Sequence, residues 1–399
     1  MKNQRIAIVS TKQPGTNPRM RKNADALSAA GYTVHVLYGF SARWADETDQ
    51  TLFKNTTWRH QRLGGHPSHS PISYFLYRLL SRFAAVMGWT DLEYCPAKNA
   101  YIRQLRQIKP NLVIGHNPSV LPILSRWSQK QNGKVLFDAE DFHSGEGQEG
   151  ARSNAKVAEL EAKHLQQIPH ITAASPMIGK AYVETHPHLE AITLNNAFDR
   201  RLQSDFKPSP EGPLTLVWFS QVIGLDRGLE ELLTALHALA ALPIRITLIG
   251  LSTIEVKDTL QSMIRSSLHA LEFKEPVLEP ILVDILSKHM IGLALETGGT
   301  INRTLCLTNK LFLYPLAGCY TLASDTPAQR DFFHSNADLG TVLDLDSPSQ
   351  WAQTITALNE DRSKLEEKRK KAWEIGHASL NWEVESQSLV ETVQSMLAS

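Results

Sequence analysis

Two stretches in the second half of the sequence place positive charge beside the start of a helix. In one of them, Thr308, Asn309 and Lys310 open a short helix after a strand at 291–295, and Arg303 lies in the loop before it. The free N–H groups at a helix N-terminus attract anions, above all phosphate. The pattern therefore predicts an anion site, although an ordinary capped helix on a solvated loop fits these residues equally well.

Arg227 lies in the other stretch, in the turn between a strand at 214–219 and a helix at 229–241. A guanidinium group binds phosphate oxygens through paired hydrogen bonds, and Gly224 and Gly228 leave room for a ligand near the backbone. The sequence predicts a phosphate clamp here. An exposed arginine at a helix start is the simpler alternative.

A third set of residues combines imidazole with carboxylates. His116 follows a buried strand at 111–115, and a strand at 134–137 is followed by Asp138, Glu140 and Asp141. If the two strands are neighbours in one parallel sheet, their carboxyl ends bring these side chains to one edge. Such a set suits acid–base chemistry or the binding of sugar hydroxyls. A metal site that also used His143 is disfavoured, because consecutive residues cannot all converge on one ion.

The elements that carry these residues alternate between strand and helix. Near the start of the chain, a strand at 5–10, a helix to residue 30 and a strand at 33–37 form a βαβ unit, which requires a parallel sheet. The loop after the first strand, KQPGTNPR, lacks the G-x-G-x-x-G spacing of dinucleotide-binding proteins, so a nicotinamide-dependent enzyme is disfavoured. Gly15 in this loop either admits a ligand close to the backbone or makes a plain turn.

The length of the chain predicts more than one domain. Of its 399 residues 42% are hydrophobic, which is enough for two cores. Residues 198–213 have the composition of a linker. We therefore expect an N-terminal domain at 1–197, a C-terminal domain at 214–378 and a closing helix at 379–399. Three cysteines without a close pair and a start without a secretory signal pattern indicate a cytoplasmic protein.

Positive charge is concentrated in the first third of the chain. Residues 1–137 carry 19 Lys and Arg against 6 Asp and Glu. This imbalance indicates an anionic partner, either a phosphorylated acceptor or a membrane surface, unless it is only an unevenly charged solvated surface. Residues 72–89 form an amphipathic helix with Arg78 and Arg82 on one face. Such a helix either lies in a bilayer interface or packs its apolar stripe into the core.

Several of these motifs together resemble a known family. The Arg227-Gly228 turn, the helix 309–312 followed by Ala317-Gly318, and Asn381-Trp382-Glu383 near the end look like the retaining, GT4-like group of GT-B glycosyltransferases. The resemblance covers nearly the whole chain. Within that group, FDAEDFHSGE, WFSQVIGLDRGLE and NRTLCLTNKLF look like a bacterial subgroup.

The resemblance implies both a fold and a reaction. The fold is α/β, with two Rossmann-like domains facing each other across a cleft and a C-terminal helix that crosses back to the N-terminal domain. The reaction is transfer of a sugar from a nucleotide-diphosphate donor, UDP- or GDP-linked, with retention of configuration. The N-terminal domain would bind a polysaccharide or glycolipid acceptor. The resemblance implies no cofactor, no obligatory metal and no nucleic acid, and it places the protein in the cytoplasm or at the inner face of the membrane.

The same resemblance suggests roles for individual residues. Arg227 would grip the diphosphate, and Lys310 would neutralise the leaving phosphate together with the backbone amides of Thr308 and Asn309. His116 would contact the donor sugar. The remaining residues expected on the donor side are Gly15, Ser220, Gln221, Gly224, Asn302 and Arg303, while Asp138, Glu140 and Asp141 are expected on the acceptor or sugar side.

One departure from the family pattern keeps other functions open. The family usually has two glutamates eight positions apart, and this chain has Leu305 and Leu313 there. Glu296, Asn302 or Arg303 would then have to recognise the ribose. A nucleotide-sugar 2-epimerase of the same architecture and a non-catalytic sugar- or lipid-binding protein therefore remain alternatives. Pro315, inside the same helix, is expected to bend its last turn.

Overall fold

A computed structural model describes residues 4–131, 133–203 and 205–398 of the chain. The chain forms two compact units. The first unit comprises Met1–Asn195, Thr300–Asn302 and Ser386–Ser399, and the second comprises Asn196–Gly299 and Arg303–Glu385. Each unit contains its own parallel sheet, as the alternation of strands and helices predicts.

The first unit is built on a seven-stranded parallel sheet with the strand order β3-β2-β1-β4-β5-β6-β7. Its strands are β1 (Arg5–Ser10), β2 (Thr33–Tyr38), β3 (Arg59–Arg62), β4 (Leu112–His116), β5 (Lys134–Glu140), β6 (His170–Ala173) and β7 (Glu190–Thr193). The central strands are apolar on both faces because helices cover both sides of a parallel sheet.

Helices connect these strands. They are α1 (Pro18–Ala29), α2 (Ala45–Phe53), α3 (Pro71–Met87), α4 (Thr90–Tyr94), α5 (Lys98–Ile108), α6 (Leu121–Gln131), α7 (Arg152–His164) and α8 (Pro176–Thr185). The start of α1 shows why the chain turns into a helix directly after β1. Asn17 accepts the N–H of Met20 through its side chain at 2.9 Å, and Pro18 occupies the first helical position.

The second unit repeats this design with six parallel strands in the order β10-β9-β8-β11-β12-β13. The strands are β8 (Leu214–Val222), β9 (Ile244–Leu251), β10 (His269–Lys274), β11 (Ile291–Ala294), β12 (Tyr320–Ser324) and β13 (Gly340–Leu343). The remaining helices along the chain are α9 (Leu229–Ala235), α10 (Ile254–Ser262), α11 (Glu279–Leu286), α12 (Ile301–Leu305), α13 (Lys310–Ala317), α14 (Pro327–Ser335), α15 (Pro348–Glu360), α16 (Arg362–Ala378) and α17 (Trp382–Ala398).

In each sheet the strand order reverses once. The reversal falls between β1 and β4 in the first unit and between β8 and β11 in the second. Ligands of open α/β sheets bind outside the carboxyl ends of the strands at such a switch point. The loops after these four strands are therefore the places where the fold itself favours a site.

The segment predicted as a linker packs within the second unit. The fully buried Arg369 of α16 donates to the carbonyl oxygens of Gly318, at 2.9 Å, and Lys207, at 3.1 Å. Pro315 lies inside α13, which ends two residues later at Ala317 and is followed by Gly318 in the left-handed conformation. In the part of the chain that is described, no helix is long and apolar enough to cross a membrane.

Candidate functional site

Lys310 and Arg227 lie beyond the carboxyl ends of the two central strands of the second unit. The turn after β8 carries Arg227, and α13, which follows β11, begins with Lys310. The positive charge of Arg227 is close enough to lower the pKa of Lys310. The structure thus places the two cations that were predicted to bind one diphosphate close enough to interact electrostatically.

The ammonium group of Lys310 is buried, with a side chain only 8% exposed. Its Nζ lies 3.6 Å from Oε1 of Glu296, 3.4 Å from Oγ1 of Thr308 and 5.2 Å from the ring centre of Trp218. Burial lowers the pKa of Lys310; Glu296 opposes this effect, and Arg227 adds to it. Glu296 is thus the ion-pair partner of Lys310, and no ion pair joins Arg227 to a carboxylate of the described chain.

Arg227 itself has no hydrogen-bond or ion-pair partner among the described residues, although it is half-buried. The turn that presents it is held from both sides. The N–H of Asp226 donates to Glu230 at 3.0 Å, and the hydroxyl of Thr297 donates to the carbonyl of Asp226 at 3.1 Å. An arginine held on a fixed turn without a carboxylate is ready for an anion from outside the protein.

The start of α13 supplies further donors. The first turn of the helix is closed by N–H groups of Leu311 and Phe312, which donate to Thr308 and Asn309. The backbone N–H groups of Thr308, Asn309 and Lys310 have no acceptor in the described part of the chain, as expected at a helix start. These amides and the Lys310 ammonium lie at the same end of one helix.

Of the residues in this site, Glu296 was the one that the sequence indicated least clearly. Its backbone is fixed to β12, because its N–H donates to Oγ of Ser324 at 2.7 Å and its carbonyl accepts the Ser324 hydroxyl at 2.8 Å. Gln329 in turn donates to Ser324 Oγ at 3.0 Å. The strand-end position of Glu296 was its only signal in the sequence.

The other residues expected on the donor side have diverse surroundings. Ser220 and Gly224 are half-buried near the end of β8, Gln221 is exposed, and Arg303 is half-buried in α12. Asn302 belongs by its contacts to the first unit, where it accepts the N–H of Phe142 at 2.8 Å and donates to Asp141 at 3.1 Å. Its amide thus holds the loop after β5.

Asp138 organises the corresponding edge of the first unit. It is fully buried at the end of β5, directly opposite His116 of β4 in the register of the sheet. Its carboxylate accepts from Arg19, at 2.8 and 3.0 Å, from Thr172 at 2.8 Å and from Asn23 at 3.1 Å. Burial alone would raise the pKa of Asp138, but the charge and hydrogen bonds of Arg19 and the proximity of His116 lower it.

His116 is the neutral partner in this cluster. Its Nδ1 lies 3.2 Å from Asp138, but neither ring nitrogen forms a hydrogen bond within the described chain, although the side chain is only 1% exposed. Burial lowers the pKa of His116 to about 4 against the opposing charge of Asp138, and Arg19 reinforces the decrease. At neutral pH the ring therefore has one donor and one acceptor available for a ligand hydroxyl.

Arg19 was missed by the sequence analysis. It lies in the first turn of α1, 119 residues away from Asp138, and also donates to the carbonyl oxygen of Leu194 at 2.6 Å. The only signal in the sequence was its position just beyond the carboxyl end of the first strand. The ion pair shows that Asp138 has an internal structural partner.

Glu140, the last residue of β5, and Asp141, which begins the following loop, come directly after this cluster. The nearly buried Glu140 has a raised pKa because of burial. His143, in the same loop, forms an ion pair with Glu146. Burial alone would lower the pKa of His143, but the hydrogen bond and charge of Glu146 raise it. Among the described residues, no group of three or more His, Cys, Asp or Glu side chains is placed to hold a metal ion.

Gly15 is packed against α2. Its N–H donates to Oδ1 of Asp49 at 2.7 Å, and a Cβ atom at this position would meet Asp49, Thr48 and the carbonyl of Ala45 within 3.2 Å. The close approach that requires a glycine here is therefore an approach to protein atoms. Its role as a donor-binding residue stays a prediction.

Backbone strain marks the loops of both units. Among the described residues, four that are not glycine have positive φ, and three of them adjoin the residues above: Asn117 at 68°, Glu140 at 59° and Asp226 at 60°. Asn117 is held there by hydrogen bonds of 3.0 Å with Thr11 and Ser10, which join the ends of β1 and β4. Strain of this kind clusters at functional sites.

The two leucines that replace the family's glutamates differ in their surroundings. Leu313 is completely buried within α13, and Leu305 is half-buried at the end of α12. The position of Leu313 is thus part of the hydrophobic core in this chain. Ribose recognition through a carboxylate at this position is absent from this protein.

Comparison with known proteins identifies the fold. No protein-family profile matches the sequence. No curated protein matches it in sequence either. Among solved structures, sucrose-phosphate synthase from Thermosynechococcus elongatus is similar over 99% of both chains, with a TM-score of 0.70 and 15% identity. HepE from Anabaena, solved in complex with UDP and glucose, has a TM-score of 0.67 at 14% identity, over 98% of this chain and all of that one.

A third similar structure is the UDP-GlcNAc 2-epimerase from Neisseria meningitidis bound to UDP-GlcNAc. Its TM-score is 0.59 at 14% identity, over 98% of this chain and 100% of that chain. The chain therefore has the GT-B fold with two Rossmann-like α/β units, which confirms the fold class predicted from the sequence.

Proposed function

We propose that this protein is a glycosyltransferase that moves a sugar from a nucleotide-diphosphate donor to an acceptor with retention of configuration. The acceptor is a carbohydrate or a lipid-linked saccharide of a bacterial surface polymer, and the reaction takes place in the cytoplasm or at the inner face of the membrane. The proposal is supported by the GT-B fold and by the charge distribution at the carboxyl edge of the second sheet.

One observation carries the proposal. Arg227 has no acidic partner in the described chain, and it lies close enough to Lys310, whose Nζ is 3.6 Å from Glu296, to lower the pKa of Lys310. The unpaired amides at the start of α13 point to the same kind of ligand. Two cations and a helix N-terminus form a site for a group with more than one negative charge, and a diphosphate at the switch point fits this requirement.

The same groups would assist the chemistry. When the sugar–phosphate bond breaks, negative charge accumulates on the diphosphate that leaves. Cations that are already in position stabilise this charge without reorganisation, which is usually the largest contribution to such catalysis. Because Lys310 and Arg227 supply the charge, the proposal requires no metal, and a chelator is expected to leave the activity unchanged.

In the first unit, we assign the contacts with the sugar and the acceptor to the loops after β4 and β5. The ring nitrogens of His116 are available for a sugar hydroxyl, and Asp138 lies 3.2 Å from Nδ1 of this ring. Glu140 ends β5, and Asp141 begins the loop after it. Carboxylates and a neutral imidazole are suitable partners for hydroxyl groups.

Calorimetric titration with UDP, GDP and their sugar conjugates tests the proposal. We expect one of the two diphosphates to bind. The substitutions Arg227→Ala and Lys310→Ala should each weaken its affinity by roughly ten- to a hundredfold, because a charge-assisted hydrogen bond contributes about 1.5–3 kcal/mol. Transfer rates should decrease by about a hundredfold or more.

Two controls test whether the effects in the titration are specific to these cations and to the phosphate groups. Lys288→Ala removes a cation of the same unit whose side chain is exposed and already paired with Asp284, and it should leave the affinity unchanged. The nucleoside without phosphate should bind the Arg227→Ala variant as well as it binds the original protein. Equal losses for nucleoside and diphosphate, or no binding of any nucleotide sugar, would contradict the assignment.

The epimerase alternative is supported by the similarity to the epimerase from Neisseria meningitidis. The two reactions differ in their products. A transferase requires an acceptor and gives a glycoside, whose anomeric configuration can be read by NMR, while an epimerase changes the nucleotide sugar alone. Product analysis with and without acceptor therefore separates them.

A further inference from the structure

Helix α3 turns its apolar stripe toward solvent. The exposed fraction is 78% for Ile72, 65% for Leu79 and 85% for Val86. The stripe consists of Ile72, Phe75, Leu76, Leu79, Phe83, Val86 and Met87, each at least half exposed. Monomeric soluble proteins rarely leave an apolar surface of this kind uncovered, so the stripe indicates an interaction surface.

The exposed apolar residues of the stripe are regularly spaced and not randomly distributed. Its members recur every three or four positions over all 17 residues of the helix, so they lie along one face. The opposite face is directed inward: Ala84 is fully buried, and Ser81 donates to the carbonyl of Glu93 at 2.7 Å. The helix is thus firmly packed, but with its apolar side outward.

Two arginines border the stripe without acidic partners. Arg78 is exposed and donates to the hydroxyl of Tyr74 at 3.1 Å, and Arg82 is exposed with no hydrogen bond or ion pair in the described chain. The nearest acidic residues along the chain are already neutralised, because Asp91 pairs with Lys98 and Lys163, and Glu93 pairs with Lys156. The surface of α3 is therefore apolar and cationic.

We propose that α3 lies flat in the interface of an anionic lipid bilayer, with the stripe among the acyl chains and the two arginines at the headgroup phosphates. A second copy of the protein fits this surface less well, because a symmetric contact would bring four arginines together without carboxylates. An anionic bilayer satisfies both properties, since it covers the apolar side chains and supplies the opposite charge. Trp89, half exposed just after the helix, suits the same interface.

A cavity beside the inner face of α3 indicates the class of acceptor, an inference that rests on the proposed function. Tyr77 and Ser81 line a cavity of about 340 Å³ between α3 and the ends of β1 and β2, where Thr11 and Gly39 complete the wall. A headgroup raised slightly from the bilayer would reach this cavity beside the helix. The acceptor class that fits is therefore a lipid-borne one.

Vesicle co-sedimentation of the full chain tests the docking surface. We compare vesicles of phosphatidylcholine alone with vesicles that also contain phosphatidylglycerol. The protein should bind the anionic vesicles, and added salt should weaken binding. Replacing Leu79 and Val86 by Ser, or Arg78 and Arg82 by Glu, should reduce the bound fraction about tenfold or more. Because all four side chains are exposed, these variants should keep the circular dichroism spectrum and melting temperature.

Ile254→Ser combined with Leu268→Ser is the matched control, since both residues are exposed apolar side chains of the second unit. This variant should bind vesicles like the original protein. The proposal is overturned if the original protein ignores anionic vesicles or if the α3 variants bind equally well. It is also overturned if ultracentrifugation shows a dimer that the α3 variants dissociate.

Nucleotide titration separates this inference from the proposed function. The α3 variants should bind the nucleotide diphosphate normally, and Arg227→Ala should bind vesicles normally. Loss of vesicle binding alone in the α3 variants supports the docking surface. A protein that binds vesicles through α3 but no nucleotide sugar would refute the transferase while retaining the membrane surface.

Discussion

His116 shows how burial can keep an imidazole side chain uncharged. The protonated ring would have to remain charged beside the Arg19 guanidinium in a site without water, and the pKa falls to about 4 although Asp138 is close. The hydroxyl groups of a sugar need both a donor and an acceptor, and a neutral imidazole provides them. The residue is thus suited to bind a hydroxyl across the whole physiological pH range.

This lowered pKa predicts a pH dependence of stability. Above pH 6.5 the histidine is neutral in both states; as the pH falls toward 4, only the unfolded chain takes up a proton, so folding loses free energy. From the two pKa values, the loss attributable to His116 is roughly 3 kcal/mol. Urea unfolding between pH 7 and pH 4 should show a steeper decline for the original protein than for His116→Gln.

The pH window isolates His116 from its neighbour. The pKa of Asp138 is lowered below its ordinary 3.8, so the stability that this carboxylate contributes is lost only at still lower pH. Titrating groups that do not interact with His116 act equally in both proteins and cancel in the difference, and the interacting group Asp138 titrates below this window. Parallel pH profiles for the two proteins would show that the histidine is protonated in the folded state.

Leu313 provides a second prediction at the scale of single residues. Its side chain is fully buried in α13. A carboxylate there would lose its hydration without a partner, so Leu313→Glu should reduce the free energy of unfolding by about 3–5 kcal/mol. Leu305→Glu, at a half-buried position, should cost less than about 1 kcal/mol. Thermal unfolding of both variants measures the difference, and equal melting temperatures would argue against the packing of α13.

Sequence patterns predicted some of the functional residues and not others. Arg227 and Lys310 could be found because each lies in the connection that follows a predicted strand, and the rule for strand ends in parallel sheets applies without knowledge of distant contacts. The pair of Arg19 and Asp138 joins positions 119 residues apart, and a local pattern does not contain such a contact. The neutral state of His116 depends on its burial, with a further contribution from Arg19, and could not be predicted either.

At the scale of elements, the turn between β8 and α9 is the most constrained connection of the site. Gly228 has a φ of 77°, and an added Cβ would lie 3.0 Å from Cβ of Leu295. The preceding Asp226 also has positive φ, at 60°. These two deviations from the ordinary backbone, one on either side of Arg227, thus fix the direction in which Arg227 leaves the turn.

Gly228→Ala should therefore affect both stability and nucleotide binding. The left-handed conformation costs an alanine about 1–2 kcal/mol, and the contact with Leu295 adds to this cost or displaces Arg227. Gly212→Ala is the matched control, since it has a φ of 93° with no atom within 4 Å of the added Cβ. Both variants should lose stability in urea titration, but only Gly228→Ala should lose affinity for the diphosphate.

Helix α3 shows what hydrophobic periodicity alone does not predict. The sequence predicted an amphipathic helix with two arginines on one side, and this is correct. Periodicity defines a stripe, but it does not state whether the stripe meets the core or the exterior. That choice depends on the packing of Ser81 and Ala84 against residues beyond the helix, which the three-dimensional structure supplies.

For the molecule as a whole, the order of strands and helices was enough to predict the fold class. Continuous apolar strands separated by helices allow only a parallel sheet covered on both sides, and the chain contains two such series. The division of the chain was harder to predict: the family resemblance implied that the C-terminal helix returns to the first unit, to which Ser386–Ser399 belong by contacts, but nothing indicated that Thr300–Asn302 also belong to it. Local composition does not indicate that a segment packs with a unit formed by a distant part of the chain.

The two units should respond differently to nucleotide. Because the proposed diphosphate ligands all belong to the second unit, UDP or GDP at a hundred times its dissociation constant should stabilise that unit by about 2.7 kcal/mol. Hydrogen–deuterium exchange should then slow at β8, β11 and α13, while β1–β7 exchange as before. A nucleotide sugar adds the contact proposed for His116, so it alone should also protect the end of β4. Arg227→Ala should remove the first effect, whereas His116→Gln should remove only the second. Protection of the first unit by the diphosphate alone would place the nucleotide elsewhere.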